Sequence, residues 1–143
     1  MDGLAFVTAI RDTGANYAPI GTFVAFALTT IERGHIVATG VPGPQHYNPL
    51  GVVHGGFAST LLDLALGHVS ISVLRDPATG VATTDLNVKY LRSMNASTGT
   101  VICEATVVHA GRRIVVAQAE LRDAGGTLFA TAQSTCIVLG PQP

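Results

Sequence analysis

His54-Gly55-Gly56-Phe57-Ala58-Ser59-Thr60-Leu61-Leu62-Asp63-Leu64-Ala65-Leu66-Gly67-His68-Val69-Ser70-Ile71-Ser72-Val73-Leu74 decides how the rest of the chain is read. Two glycines open the stretch. Apolar residues then fall on every side of a 3.6-residue helix, among them Phe57, Leu61, Leu62, Leu64, Leu66, Val69 and Ile71. A helix that is apolar all round is a buried helix. The spacing predicts one over residues 55–74, stopping near Asp76-Pro77, where the proline ring excludes continuation. Asp63 stands in its middle with no Lys or Arg in the surrounding helix. Burying an unpaired carboxylate is expensive, so this residue points to a site rather than to packing.

Just upstream, Gly40-Val41-Pro42-Gly43-Pro44-Gln45-His46-Tyr47-Asn48-Pro49 is too rich in proline and glycine for a regular element. It reads as a loop that delivers polar side chains to the mouth of the helix. Before it, residues 21–30 and 35–39 are rich in aromatic and β-branched residues, and Glu32-Arg33-Gly34 between them predicts a hairpin. Residues 1–20 form an N-terminal helical extension, with Leu4, Val7 and Ile10 at helical spacing and Gly14 past its end. After Gly80 come four strand-like segments. Leu86, Val88 and Tyr90 alternate with polar residues; so do Cys103, Ala105 and Val107, and Val115, Ala117, Ala119 and Leu121; residues 127–139 make a last long apolar strand. Period-2 alternation with one dry face means antiparallel strands packed on something apolar. The chain over 1–143 therefore reads as a single α+β domain, an antiparallel sheet wrapped around one long central helix.

Charged residues make up 12% of the 143 residues, with a net charge of -1. That is about half the usual share, so part of the surface is expected to be covered in a homo-oligomer. The balance excludes the dense basic face that nucleic acid requires. The apolar run after Asp63 is too short to span a bilayer, and no basic n-region precedes an apolar core at the start; the expected setting is cytoplasmic, with no membrane partner. Cys103 and Cys136 lie far apart in strand-like segments and read as small core residues, with a disulfide left open. The five histidines show no metal-ligand spacing, so no metal is expected. Ser59 is not in a G-x-S-x-G elbow, and there is no Walker A or dinucleotide fingerprint.

The first N–H groups of a helix have no partner within it and carry the positive end of its dipole. Glycine at Gly55 and Gly56 leaves room for a substrate oxygen to approach them, which is an oxyanion-type arrangement. Asp63 follows Gly55 by eight residues, about 12 Å along the helix. One helix cannot put both groups on one carbonyl carbon, so cooperation requires the Asp63 of a second copy. That carboxylate would act as general base or nucleophile. Thr83 or Thr84 supplies a hydroxyl to position it or its water, and Asn48 and His54 are candidates to orient the substrate carbonyl.

Asn48, six residues before His54-Gly55-Gly56, then Asp63, and later Gly80-Val81-Ala82-Thr83-Thr84-Asp85-Leu86-Asn87-Val88-Lys89-Tyr90-Leu91-Arg92, resemble the hotdog-fold acyl-CoA thioesterases of the phenylacetate-degradation, PaaI-like group. The resemblance spans about residues 21–139. It implies a helix wrapped by an antiparallel sheet, pairing into dimers or dimers of dimers, with active sites at the subunit interface. It implies that Gly55 polarises the thioester carbonyl through its N–H, helped by Asn48 and His54, and that the partner's Asp63 is the general base or nucleophile. Thr83 falls where relatives commonly have a water-holding Ser. Gly56, Thr84 and Arg92 are assigned to substrate or CoA binding, and Arg112 and Arg113 resemble a basic turn near the CoA phosphates. Ser93 stands where the group often has Pro.

The function so implied is hydrolysis of an acyl-CoA thioester to free acid and CoA, with no cofactor beyond the CoA of the substrate. The alternatives are a hotdog acyl-thioester hydratase or dehydratase, whose His-containing loop motif is not evident, and a non-catalytic acyl-CoA-binding protein.

Overall fold

Asp2 sets up the first helix. Its carboxylate accepts from the Ala5 N–H at 3.0 Å, opening α1 (Gly3–Thr13), and Gly14 closes it in the left-handed region at φ 71°, the backbone conformation that favours glycine. The computed structural model describes residues 1–14, 17–77 and 80–140. Gly3 is required by proximity: its N–H donates to the Leu74 carbonyl at 2.8 Å, and a Cβ there would sit 1.7 Å from the Ile71 carbonyl oxygen. The N-terminal helix is thus seated directly on the C-terminal end of the central one.

The strand expected over residues 21–30 forms only in part. Pro19–Val24 is a 3-10 helix, Ala25 turns left-handed at φ 53°, and β1 runs Ala27–Glu32. Pro19 takes the first helical position, where its missing N–H costs nothing. The Phe26 N–H returns to the Gly21 carbonyl, and the Tyr17 hydroxyl donates to the Phe26 carbonyl. Phe26 is thereby turned into the core, a tertiary contact that overrides the strand propensity of the run. The hairpin into β2 (His35–Gly40) forms as expected, with Gly34 at φ 76°. Its tip ties down the far end of the central helix, since the Gly34 N–H donates to Ser72 Oγ and Arg33 to the Ser72 carbonyl.

The central helix is α2 (Gly55–Ser72). Phe57, Leu61, Leu62, Leu66 and Val69 are buried, each stabilising the fold by about 1.5–3 kcal/mol relative to exposure. Burial all round is corrected by the structure: Gly56 is exposed, and Ser59, Thr60, Asp63, Leu64 and Gly67 are only half-buried. These residues share one stripe at three- and four-residue spacing. The sheet covers one side of α2 and α1 packs against another, leaving the stripe at the surface of the chain.

Strands β3 (Val81–Tyr90), β4 (Val101–Ala110), β5 (Ile114–Asp123) and β6 (Leu128–Val138) complete a six-stranded antiparallel sheet in the order β1-β2-β4-β5-β6-β3. β3 precedes β4 in sequence yet lies at the far edge, beside β6. The face toward α2 is built largely of small residues, Ala38, Cys103, Ala105, Ala117, Ala119 and Ala132, so the leucine-rich helix lies close against it. Cys103 and Cys136 are both buried free thiols. Burial pushes Cys103 up to about 12, with Glu104 adding to the shift, so this thiol is a packing group.

Candidate active site

The backbone donors at the start of α2 are all spoken for except one. The His54 N–H donates to the His46 carbonyl at 2.7 Å. The Gly56 N–H donates to His54 Nδ1 at 2.8 Å, and the Phe57 N–H to the His54 carbonyl at 3.0 Å. Among the described residues the Gly55 N–H has no acceptor. Gly55 lines an open cleft of about 340 Å³ together with Val53, His54, Ala58, Tyr90, Arg92 and Met94. An unpaired donor at a helix N-terminus facing a cleft is where an oxyanion is best stabilised.

His54 is the residue that leaves Gly55 in this position. By accepting from the Gly56 N–H, its Nδ1 caps the helix as an Asn or Ser would, and the accepting nitrogen carries no proton. Its ring therefore acts on the helix start, and the Gly56 N–H assigned above to the substrate is occupied by it. Behind it, His46 is buried and satisfied on both ring nitrogens: Nδ1 accepts from the Gly43 N–H and Nε2 donates to the Phe23 carbonyl. Its ring packs between Phe23 and Phe57. The proline-rich loop is thus clamped under the start of α2. A smaller cavity of about 220 Å³, lined by Phe23, His46, Tyr47, His54 and Phe57, opens on the Gly56 side.

Asp63 lies farther along the half-buried stripe. The Thr83 hydroxyl donates to its Oδ1 at 2.9 Å, and the Cys136 thiol lies 3.9 Å from the same hydroxyl. Strict alternation along β3 would place Thr84 on the helix side with Leu86 and Val88. A bulge between Thr83 and Asp85 shifts the register, so Thr83 is the residue that reaches Asp63. Thr84 instead donates to the Thr135 carbonyl.

The remaining sequence candidates are dispersed. Asn48 Oδ1 accepts from the Leu50 and Val52 N–H groups, closing its own turn. Arg92 lines the Gly55 cleft. Arg112 and Arg113 occupy the β4–β5 turn, and Arg112 lines a cavity with Val73, Leu74 and Arg75. That is the C-terminal end of α2, opposite to Gly55. Tyr90 was legible only as one more alternating strand residue, yet it bends over the helix start and its hydroxyl donates to the Gly55 carbonyl at 3.0 Å. The one hint of it was its place immediately before Leu91-Arg92 in the motif. Among the described residues, no group of three or more His, Cys, Asp or Glu is placed to hold a metal ion, and no helix is long and apolar enough to cross a membrane.

The model of the thioesterase superfamily matches residues 50–130, more than half of the chain and the whole of α2 and β3. A Deinococcus radiodurans protein named "Putative esterase" is 31% identical over 84% of this chain and 74% of its own length. A Halobacterium salinarum protein, also named as a putative esterase, is 42% identical over 63% of this chain, although the match spans only 57% of that protein. A Streptococcus mutans protein, in a structure bound to acetyl CoA, superposes with a TM-score of 0.73 at 28% identity, over 82% of this chain and 91% of that one. The Escherichia coli PaaI protein of the phenylacetic acid degradation operon shares the fold, with a TM-score of 0.83 over 97% and 98% of the two chains at 18% identity. The chain belongs to the thioesterase superfamily, and its fold is the hotdog fold of the PaaI-like thioesterases.

Proposed function

We propose that the protein hydrolyses an acyl-CoA thioester to the free acid and CoA, and that each active site is shared by two copies of the chain. The observation that carries this reading is the unpaired N–H of Gly55, a residue that lines a cleft, on the same helix as a carboxylate held by Thr83. The thioester carbonyl oxygen accepts from the Gly55 N–H. Water adds to the carbonyl carbon while Asp63 takes its proton, and the negative charge that develops on the oxygen is stabilised at the helix N-terminus. Collapse breaks the carbon–sulfur bond and releases CoA as thiol and the acyl group as acid. A direct attack by Asp63, followed by hydrolysis of the resulting anhydride, gives the same products. No metal or redox cofactor takes part, and the proposed setting is the cytoplasm.

The pairing follows from distance. Gly55 and Asp63 of one chain lie about 12 Å apart along α2, whereas a second helix lying antiparallel along the half-buried stripe brings the partner's carboxylate to the cleft. The stripe of small residues, Gly56, Ser59, Thr60 and Gly67, permits that approach, and β3 is a free sheet edge beside it. The Streptococcus mutans neighbour bound to acetyl CoA supports the choice of acyl-CoA. Arg92 and, from the partner, the Arg112–Arg113 turn are the basic groups proposed for its phosphates.

Free-thiol release from a panel of aryl and aliphatic acyl-CoAs tests the reading. Asp63→Asn is expected to lose roughly 100-fold or more in kcat, with its thermal stability followed in parallel, since removing a half-buried charge can stabilise a fold. Undiminished release removes Asp63 from the chemistry. Tight acyl-CoA binding without release by the wild type identifies a binding protein instead. Mixing inactive Asp63→Asn with inactive Gly55→Pro should restore about a quarter of wild-type activity if subunits reassort at random, because half the dimers then hold one intact site of two; no recovery on subunit exchange places both groups in one chain.

A further inference from the structure

We infer that Tyr90 is a positioning residue that locks the Gly55–Gly56 peptide and so restricts rotation about Gly55, whose own N–H lies in the preceding His54–Gly55 peptide; this rests on the hydrolytic reading above. Two consecutive glycines at the first turn of a helix are the least constrained backbone that a donor could be built on. Catalysis by a backbone N–H requires the opposite, a dipole fixed before the charge develops. The Phe57 N–H holds the His54 carbonyl of the peptide that carries the donor, and the flexible Gly55 that follows calls for a second restraint on its other side.

Tyr90 supplies it from the end of β3. Its hydroxyl donates to the Gly55 carbonyl at 3.0 Å and pairs with Ser59 Oγ one turn along α2. With the tyrosine proton on Gly55, Ser59 is the donor of the second bond. The N–H of that same Gly55–Gly56 peptide donates to His54 Nδ1 at 2.8 Å. The peptide plane is thus held at both ends, by the sheet on its carbonyl and by the helix cap on its N–H, and rotating it breaks both bonds. Tyr90 is also 55% exposed, so burial is a minor reason for its location. The glycine at 55 serves this contact as much as any substrate: a Cβ there would lie 3.2 Å from the Tyr90 ring and hydroxyl.

The full-length protein is compared as wild type, Tyr90→Phe and Ser59→Ala, by amide hydrogen exchange of Gly56 against the core amide of Leu66, and by thiol-release kinetics. Tyr90→Phe keeps the ring and loses both hydroxyl bonds. It should speed Gly56 exchange about tenfold while Leu66 is unchanged, and lower kcat roughly 10- to 100-fold with KM within about twofold. Ser59→Ala, which leaves the bond to Gly55, should move both readouts less and in the same direction, and it carries the test if Tyr90→Phe folds poorly. Wild-type Gly56 exchange in both variants overturns the inference, as does a loss of protection shared equally by Leu66, which would mark a general destabilisation. If the wild type releases no thiol from any acyl-CoA but Gly56 exchange still rises in Tyr90→Phe, the positioning role stands and the hydrolytic reading falls.

Discussion

Thr83 and Asp63 are joined by a 2.9 Å hydrogen bond in which the hydroxyl donates to the carboxylate, and that bond exists because β3 carries a bulge at this point. One extra residue between Thr83 and Asp85 turns Thr83 toward α2 and leaves Thr84 on the β6 backbone. The Asp63 carboxylate is therefore held by the edge strand of the sheet.

Removing that donor should cost activity more than stability. Thr83→Val keeps the shape but leaves Asp63 without its bond. It is expected to reduce kcat by roughly tenfold or more while unfolding free energy changes by only about 1 kcal/mol. Thr83→Ser should retain most activity. Thiol release and denaturant unfolding of the three proteins check this; equal activity in Thr83→Val and Thr83→Ser would show that the hydroxyl is idle.

Gly55 allows a cleaner separation of donor from shape. Proline is tolerated at the first position of a helix because the N–H it lacks has no helical partner, and His54 already has the extended backbone, at φ -62° and ψ 143°, that precedes proline. Gly55→Ala adds a Cβ against Tyr90 and keeps the N–H; Gly55→Pro adds the same Cβ and replaces the N–H hydrogen with the ring Cδ. The proline variant should fall roughly 100- to 1,000-fold below the alanine variant in kcat/KM. Parity between the two would exclude the Gly55 N–H as the oxyanion donor.

At the other end of α2, Gly3→Ala is expected to be destabilising well beyond an ordinary surface change. Its Cβ would overlap the Ile71 carbonyl oxygen at 1.7 Å, a backbone atom that cannot rotate away, so α1 must shift off α2. A loss of about 1–3 kcal/mol is expected from overpacking, seen as a lower melting temperature. Gly14→Ala acts through its φ of 71° instead, since no atom lies within 4 Å of the added Cβ, and should cost about 1 kcal/mol.

Two histidines give stability opposite slopes with pH. His68 is 8% exposed, its ring lies beside Phe26, and burial lowers its pKa from 6.5. The unfolded chain then takes up a proton that the fold refuses, so stability falls as pH drops below about 6.5 toward the lowered value. His35, on the surface, is raised chiefly by its hydrogen bond to Glu104 and further by Glu32. Its contribution is complete below about 6.5 and is lost as pH rises through the raised value; solvent keeps it small. Melting temperatures from pH 5 to 9 should lose their acid slope in His68→Gln and their shallow alkaline slope in His35→Gln. An unchanged acid slope in His68→Gln would assign it elsewhere.

The sequence by itself determined the central helix with its glycine start and Asp63, the hairpin at Glu32-Arg33-Gly34 and the antiparallel strands after Gly80. Each of these rests on local spacing, which periodicity, turn residues and helix-end chemistry report directly. Only the tertiary structure decided which donor is free at Gly55, that the His54 ring closes over Gly56, that a bulge selects Thr83 over Thr84, and that the Tyr90 hydroxyl reaches the Gly55 carbonyl. It also turned half of an expected strand into the 3-10 segment Pro19–Val24, because Phe26 gains more from the core than from the sheet edge. The His54 cap on Gly56 is local, but it uses a histidine where Asn, Asp, Ser or Thr is the usual cap. The bonds of Thr83 to Asp63 and of Tyr90 to Gly55 join residues 20 and 35 positions apart; they depend on where two elements meet, and no pattern within either element encodes that meeting point.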